Sequence, residues 1–314
     1  MKEKGLRVLI TGAAGFIGSH TADLLISQNC EVLGIDDFST GSAENLNLFF
    51  EKGGIFEPAD ITKTDEILPI MRDFSPDAVI HLAAQPSLIR SEQFPRQDLR
   101  TNIEGTLSVI MAAKSFGVGR FVMASTSAVY SELNPPRTYN EDYAISPASS
   151  YGISKASAEM YVRKNFDNHA ILRYGNVFGP RQVPLGENQL IARAIRHFLE
   201  GTDFEINGDG EQSRDFVYVS DVARANAIAA TCAVSGTFNI SMGQAVSVNA
   251  ILKMLEQIYD VLGYAWSHNQ NDDPRTHIKL GVGRASRYLF WTATTSLLDG
   301  LKETADWWEG RLHE

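Results

Sequence analysis

Residues 7–18 read Arg7-Val8-Leu9-Ile10-Thr11-Gly12-Ala13-Ala14-Gly15-Phe16-Ile17-Gly18, and Glu31-Val32-Leu33-Gly34-Ile35-Asp36 follows after a helical stretch from Ser19 to Gln28. The first apolar run predicts a buried strand, the spacing of Ala22, Leu24, Leu25 and Ile26 a helix, and the second run another strand that ends on an acid. Three glycines at this spacing let a backbone turn tightly, approach a pyrophosphate and pack a helix close to a sheet. The helix start presents unpaired N–H groups and a positive dipole end to that pyrophosphate. Asp36 lies where a carboxylate can accept both ribose hydroxyls of an adenosine. A 2′-phosphate would meet Asp36 and Asp37 with no arginine or lysine close by, so NAD is expected rather than NADP.

Composition sets wider bounds. The chain has 314 residues, 44% hydrophobic and 21% charged, which suits one large or two unequal globular domains. A net charge of −10 argues against nucleic acid or an anionic membrane as partner, so any site for an anionic substrate must be locally basic. The two cysteines, Cys30 and Cys232, lack metal-like spacing; they suggest a reduced, cytoplasmic compartment and no metal. Residues 1–5 lead into the first strand with no apolar signal region, and no run is long enough to span a bilayer.

Along the chain, residues 53–61, 77–84, 121–124 and 170–174 read as further strands, and residues 101–116 and 152–166 as helices. Alternating strand and helix implies an α/β fold with a Rossmann-like, doubly wound parallel sheet. Small residues after His81, at Ala83 and Ala84, leave room for a ligand at a strand end, while His81 itself has no partner motif and reads as structural. After Asn176 the pattern changes. Gly179-Pro180-Arg181 and Gly208-Asp209-Gly210 interrupt it, residues 190–199 and 248–262 read as helices, and residues 237–240 as a short strand. The expectation is an NAD-binding domain over 1–175 and a smaller substrate-binding domain over 176–314, with some segments returning to the main sheet.

Tyr151 and Lys155 are four residues apart and so share one helical face. They follow the seryl/threonyl strand end Ser125-Thr126-Ser127. A free tyrosine, with a pKa of about 10, is a poor base at neutral pH. A nearby ammonium and a cationic nicotinamide would favour the phenolate, letting Tyr151 take a proton from a substrate hydroxyl as hydride leaves the same carbon. Thr126 would orient that oxygen; alternatively its hydroxyl only caps backbone.

With these motifs in view, the sequence resembles the extended short-chain dehydrogenase/reductase family, in its nucleotide-sugar 4-epimerase branch. The resemblance spans nearly the whole chain: TGAAGFIG at 11–18, DDFSTG at 36–41, DI at 60–61, HLAAQ at 81–85, TNIEGT at 101–106, STSAVY at 125–130, YGISK at 151–155, LRYGNVFGPRQ at 172–182 and NGDGEQSRDFVYVSD at 207–221. It implies catalysis by Thr126, Tyr151 and Lys155. It also implies a cofactor site that adds Phe16, Ile17, Ser39, Thr40, Gly41, Asp60, Ile61, Leu82, Ala83, Ala84, Asn102, Ser125 and Tyr174 to the glycines and acids above. Asn176, Arg214 and Arg275 would hold the substrate diphosphate, UDP above all, in keeping with the match of guanidinium to phosphate. Helices 101–116 and 152–166 resemble those of the family's dimer interface, so a homodimer is expected.

There are departures. Ser131 replaces a customary glycine, Gly175 a common aromatic, and Arg275-Thr276-His277-Ile278 a customary Arg-x-Gly-Asp. In the resembling epimerases, a residue shortly after the phosphate-binding arginine sets the room beside the hexose. That position falls on Gly281, which would leave space for an N-acetyl group unless it is only a turn glycine; Gly175 would enlarge the pocket further. The 4,6-dehydratases of the family usually carry Asp-Glu after the catalytic threonine and the decarboxylases keep the glutamate; Ser127-Ala128 disfavours both. An NAD-binding sensor without turnover is the non-enzymatic alternative.

Overall fold

The computed structural model describes residues 5–130, 137–183, 189–260, 266–269 and 277–312. Seven strands form the main sheet: β1 Arg7–Thr11, β2 Glu31–Asp36, β3 Ile55–Pro58, β4 Ala78–His81, β5 Arg120–Thr126, β6 His169–Tyr174 and β7 Gly236–Ile240. All neighbours pair in parallel, in the order β7-β6-β5-β4-β1-β2-β3. Chain order reverses between β1 and β4, and in such sheets the crevice beyond the strand C-termini at that point receives the ligand.

Burial on both faces explains why β1 reads as an unbroken apolar run. Val8 and Ile10 join one core with Ala22, Leu25, Val222 and Ala225, while Leu9 joins the other with Val79, Val109 and Val162. The first face is covered by helices α1 (Phe16–Ser27) and α3 (Val219–Thr231), the second in part by α2 (Ser150–Asn165).

Two elements differ from the sequence reading. Residues 101–116 are not one regular helix: Arg100–Gly105 is a π-helical turn, continued as an α-helix over Thr106–Ser115. The second is the strand expected over residues 237–240: it begins one residue earlier, at Gly236, and pairs with β6 at the edge of the main sheet, one of the C-terminal segments that return there. A third apolar core, with Phe178, Ile195, Phe204, Phe216, Ile251 and Leu301, lies under the remaining C-terminal segments.

Candidate active site

The loop leaving β1 is shaped by contacts that exclude side chains. Gly12 has φ +72°, and a Cβ there would fall 2.6 Å from the Ala83 nitrogen. A Cβ on Gly18 would fall 1.9 Å from the Gly12 carbonyl oxygen. Gly15 precedes the first residue of α1 in extended conformation, leaving the helix start open. Asp36, at the end of β2, accepts the N–H groups of Ala14 and Phe38 at 3.0 and 2.8 Å. Its carboxylate thus ties this loop to the next while keeping lone pairs for further donors. Burial pushes its pKa up, and the backbone donors oppose that shift. Asp37 accepts from the Ser39 N–H, and Gly41 packs against Ala14, where Ser42 N–H and Asn45 Nδ2 both donate to the Ala14 carbonyl. Thr40 is exposed on the same loop. The cradle and its acid fit a dinucleotide: backbone space where a pyrophosphate needs it and a carboxylate where a ribose would lie.

The rim beyond β4 completes this side. Leu82, Ala83 and Ala84 are half-buried at the strand end, and Ile61 is buried beside half-buried Asp60. Asn102 is buried in the π-helical turn. Its Oδ1 accepts the Gln85 N–H, and its Nδ2 donates to the Gln85 carbonyl, Asp98 and Ser154.

Tyr151 and Lys155 stand on one face of α2, beside the C-terminal end of β5. The Thr126 hydroxyl does two things at once: its oxygen accepts the Ala128 N–H at 3.1 Å, and it is hydrogen-bonded to the Tyr151 side chain. The capping reading of Thr126 thus holds, and the same hydroxyl also reaches Tyr151. Burial pushes the Tyr151 phenol up to about 12, with the Thr126 hydrogen bond pulling down and Asp98 pushing up. Lys155, 3% exposed, is drawn down to about 8 by burial, against the attraction of Glu159 and Asp98. Burial is the largest influence on the phenol of the protein by itself. The Tyr174 side chain is buried, and its hydroxyl donates to Asn226 at 2.6 Å, which in turn donates to Thr21 of α1.

Residues 8–241 match the NAD dependent epimerase/dehydratase family. The chain belongs to that family. Its fold is close to that of the UDP-glucose 4-epimerase of Thermotoga maritima, solved with UDP-glucose, at 35% identity and TM-score 0.92 over 98% of this chain and 100% of that one. The Thermus thermophilus UDP-glucose 4-epimerase in complex with NAD is 31% identical, TM-score 0.89, with coverage of 97% and 99%. The UDP-N-acetylglucosamine 4-epimerase of Methanobrevibacter ruminantium, in complex with UDP-N-acetylmuramic acid, is 31% identical, TM-score 0.91, with coverage of 98% and 99%.

Within this epimerase/dehydratase framework, the opposite wall departs from the sequence reading. Asn176 begins a short strand, Asn176–Phe178, that pairs with Ser213–Tyr218, so Asn176 and Arg214 belong to neighbouring strands. Arg214 is 9% exposed, and its Nη1 donates to the Ser213 carbonyl. Arg275 lies outside the described residues, as does Ser131. Gly281 does not open a pocket: a Cβ there would fall 1.8 Å from Asn140 Oδ1 and 3.4 Å from a Thr138 methyl. Its carbonyl accepts from Asn239 Nδ2, and its N–H donates to the Tyr139 carbonyl. Gly175 is filled in the same way, by Ser241 Oγ at 2.2 Å and the Asp215 carbonyl at 2.5 Å. Both glycines admit neighbouring protein groups rather than ligand.

Sequence reasoning missed a buried charged cluster behind Lys155. Glu159 is fully buried; its Oε1 accepts from Ser125 Oγ at 2.6 Å and Arg173 Nε at 2.8 Å, and its Oε2 from Arg173 and Arg163. Arg173 also donates to the Tyr130 hydroxyl, which donates to Asn239 Oδ1. The signal was present: Glu159 follows Lys155 by one helical turn, and Arg173 lies inside LRYGN. Their pairing across 14 positions was not.

Proposed function

We propose that this chain is a UDP-sugar 4-epimerase that keeps its NAD through the cycle. One observation carries the reading: Thr126, at the end of β5, is hydrogen-bonded to Tyr151, which shares a helical face with the buried Lys155, in a chain of this family. When bound, NAD supplies an acceptor, and later a donor, for the hydride at C4. Tyr151 takes the proton of the C4 hydroxyl and returns it after the 4-keto sugar has turned over. Thr126 holds that oxygen. Lys155 lends positive charge that favours a phenolate against the effect of burial. Asp36, Asp60, Ile61 and Asn102 shape the adenosine and ribose side, while Asn176 and Arg214 face the diphosphate.

The division at residues 175/176 is a functional one, between cofactor and nucleotide-sugar halves. Second-copy association along α2 and Thr106–Ser115 is supported by their exposed apolar side chains: Met111 at 51%, Ile153 at 53% and Met160 at 58%. Both cysteines are free, in keeping with the cytoplasm, and no helix among the described residues is long and apolar enough to cross a membrane.

The test is turnover of UDP-glucose, UDP-galactose and their N-acetylated counterparts without added NAD. Interconversion at C4 is expected. Release of a 4-keto-6-deoxy sugar or of carbon dioxide would assign the dehydratase or decarboxylase reading instead. NAD binding without turnover of any of these would favour the sensor.

A further inference from the structure

His81 is the last residue of β4 and is fully buried. Both ring nitrogens are engaged by threonine hydroxyls, Nδ1 with Thr11 at 2.8 Å and Nε2 with Thr106 at 2.9 Å. Both threonines are also nearly fully buried. These contacts determine where each proton sits.

The Thr106 hydroxyl is 2.7 Å from the Asn102 carbonyl. A carbonyl only accepts, so Thr106 spends its proton there and can only accept from His81. Nε2 therefore carries hydrogen. Thr11 Oγ1 already accepts the Ala83 N–H at 3.1 Å and, at 3.2 Å, the Leu82 N–H, which it shares with the Thr11 carbonyl at 3.1 Å. Its own proton points at Nδ1, which is bare. The opposite tautomer would place a third donor on Thr11, leave its proton without a partner, and set a bare Nε2 against a Thr106 oxygen that has no proton to give. Burial in an apolar setting, with Lys155 adding to the effect, pulls the imidazole down to about 3 and keeps it neutral.

We propose that His81 is a positioning residue: a neutral imidazole, protonated on Nε2, that fixes the Thr11 hydroxyl and so holds the Leu82 and Ala83 amides against the glycine loop. The point of contact is tight, since Gly12 has room for nothing larger than hydrogen beside the Ala83 nitrogen. On the other side the chain passes through Thr106 to Asn102, whose side chain holds Gln85 and Ser154. Ser154 donates to the carbonyl of Tyr151. One run of hydrogen bonds thus joins the end of β1, the rim after β4 and the first turn of α2. His81 gives that run a single direction. Its bearing on the cofactor rests on the proposal that NAD lies against residues 82–84; its tautomer does not.

Two measurements test it on the full-length protein with its co-purified NAD. The first is nitrogen NMR of the His81 ring, assigned by loss of its signals in His81→Gln. A neutral ring with hydrogen on Nε2, unchanged from pH 8 to 5.5, is expected. A ring protonated on Nδ1, or one that titrates in that range, overturns the proposal whatever the cofactor does. The second compares Thr106→Val with Thr106→Ser. Loss of the acceptor for Nε2–H should raise the NAD dissociation constant about tenfold, the scale of one lost hydrogen bond. Serine should restore it to within about twofold of wild type, because it keeps the hydroxyl. A structural role alone would lower the melting temperature of the valine variant and leave NAD affinity unchanged, which would refute the positioning role. Should the valine variant fail to fold, the NMR result on wild type still decides.

Discussion

The cofactor wall and the sugar wall proposed above are built on different plans. On the cofactor side, the elements that matter are backbone: Gly12 against Ala83, Gly18 against the Gly12 carbonyl, Asp36 receiving two N–H groups. On the sugar side, the close contacts are between side chains and backbone from distant segments: Asn140 beside Gly281, Ser241 beside Gly175, Asn239 bridging Tyr139 and Gly281. Backbone contacts cannot yield to an added methyl group, whereas the far end of a side chain can swing away. The cofactor wall is therefore fixed by the fold, whereas Gly281 faces the movable end of Asn140; Gly175 lies between these cases, with the Asp215 carbonyl as well as Ser241 against it.

The largest expected effect lies where the walls meet. Tyr151→Phe keeps the ring and removes the proton carrier. Epimerisation should fall by at least roughly a hundredfold, the lower range for general acid–base catalysis, with NAD still bound. Near-normal turnover would reject Tyr151 as the base.

A matched pair of glycine substitutions addresses the comparison itself. In Gly18→Ala the new methyl meets the Gly12 carbonyl, and the cradle must deform; the protein should purify with little or no NAD. In Gly281→Ala the methyl meets the end of the Asn140 side chain, and NAD content should stay at the wild-type level, with any change confined to the KM for sugar substrates. Equal NAD loss in both would erase the distinction between the walls.

How far the cleft was legible follows the same line. β1, the glycines, α1 and Asp36 lie within 30 residues, so a short window of sequence contains the whole cradle. Tyr151 and Lys155 share one helical turn, and were as readable. Gly281 was misread because its neighbour is Asn140, distant in sequence and joined through pairing of Ile278–Leu280 with Arg137–Tyr139. α3 went unnoticed for another reason. Its buried positions are mostly alanine and include the polar Asp221 and Asn226, while the outward stripe at Ser220, Arg224, Ile228 and Thr231 contains an isoleucine, so the contrast between its faces is weak.

Arg214→Ala probes the polar part of the sugar wall. If its guanidinium holds phosphate oxygen, the loss is that of a charge-assisted hydrogen bond, about 1.5–3 kcal/mol, or roughly ten- to a hundredfold in affinity for UDP. Binding of uridine should change little. Equal losses for both ligands, measured by calorimetry, would mean that Arg214 acts through folding.

Glu159→Gln probes the charge behind Lys155. Glu159 raises the lysine's affinity for its proton against burial, which sets it near 8. Removing the carboxylate, with Arg173 left beside it, lowers that pKa further. Activity that needs the ammonium is lost as pH rises through this value, so the alkaline limb of the pH–rate profile should move to lower pH. An unmoved limb would show that Lys155 does not govern it.

The smallest effect sets the cleft against the rest of the surface. Two phenylalanines have left-handed backbone: Phe38 at φ +58° and Phe290 at φ +51°. The conformation costs a side-chain-bearing residue roughly 1–2 kcal/mol, because Cβ crowds the carbonyl oxygen. At Phe38 the cost is offset, since its N–H donates to Asp36 and its ring lies 5.3 Å from that of Phe56. Such a ring pair contributes about 0.5–1.5 kcal/mol. Phe290 is 89% exposed, so its ring contributes little burial. Phe290→Gly should therefore relieve strain. The flexibility that glycine adds to the unfolded chain removes about 0.4–1 kcal/mol of the gain. What remains is below about 1 kcal/mol, a rise of about 1–2 °C in melting temperature for a chain of this size. Phe38→Gly should show no such gain, because relief of strain is cancelled by the lost ring contact with Phe56. A stabilised Phe38→Gly protein that keeps its NAD would show that strain on the cofactor wall has no role there, and a destabilised Phe290→Gly protein that the exposed ring has a partner in solution.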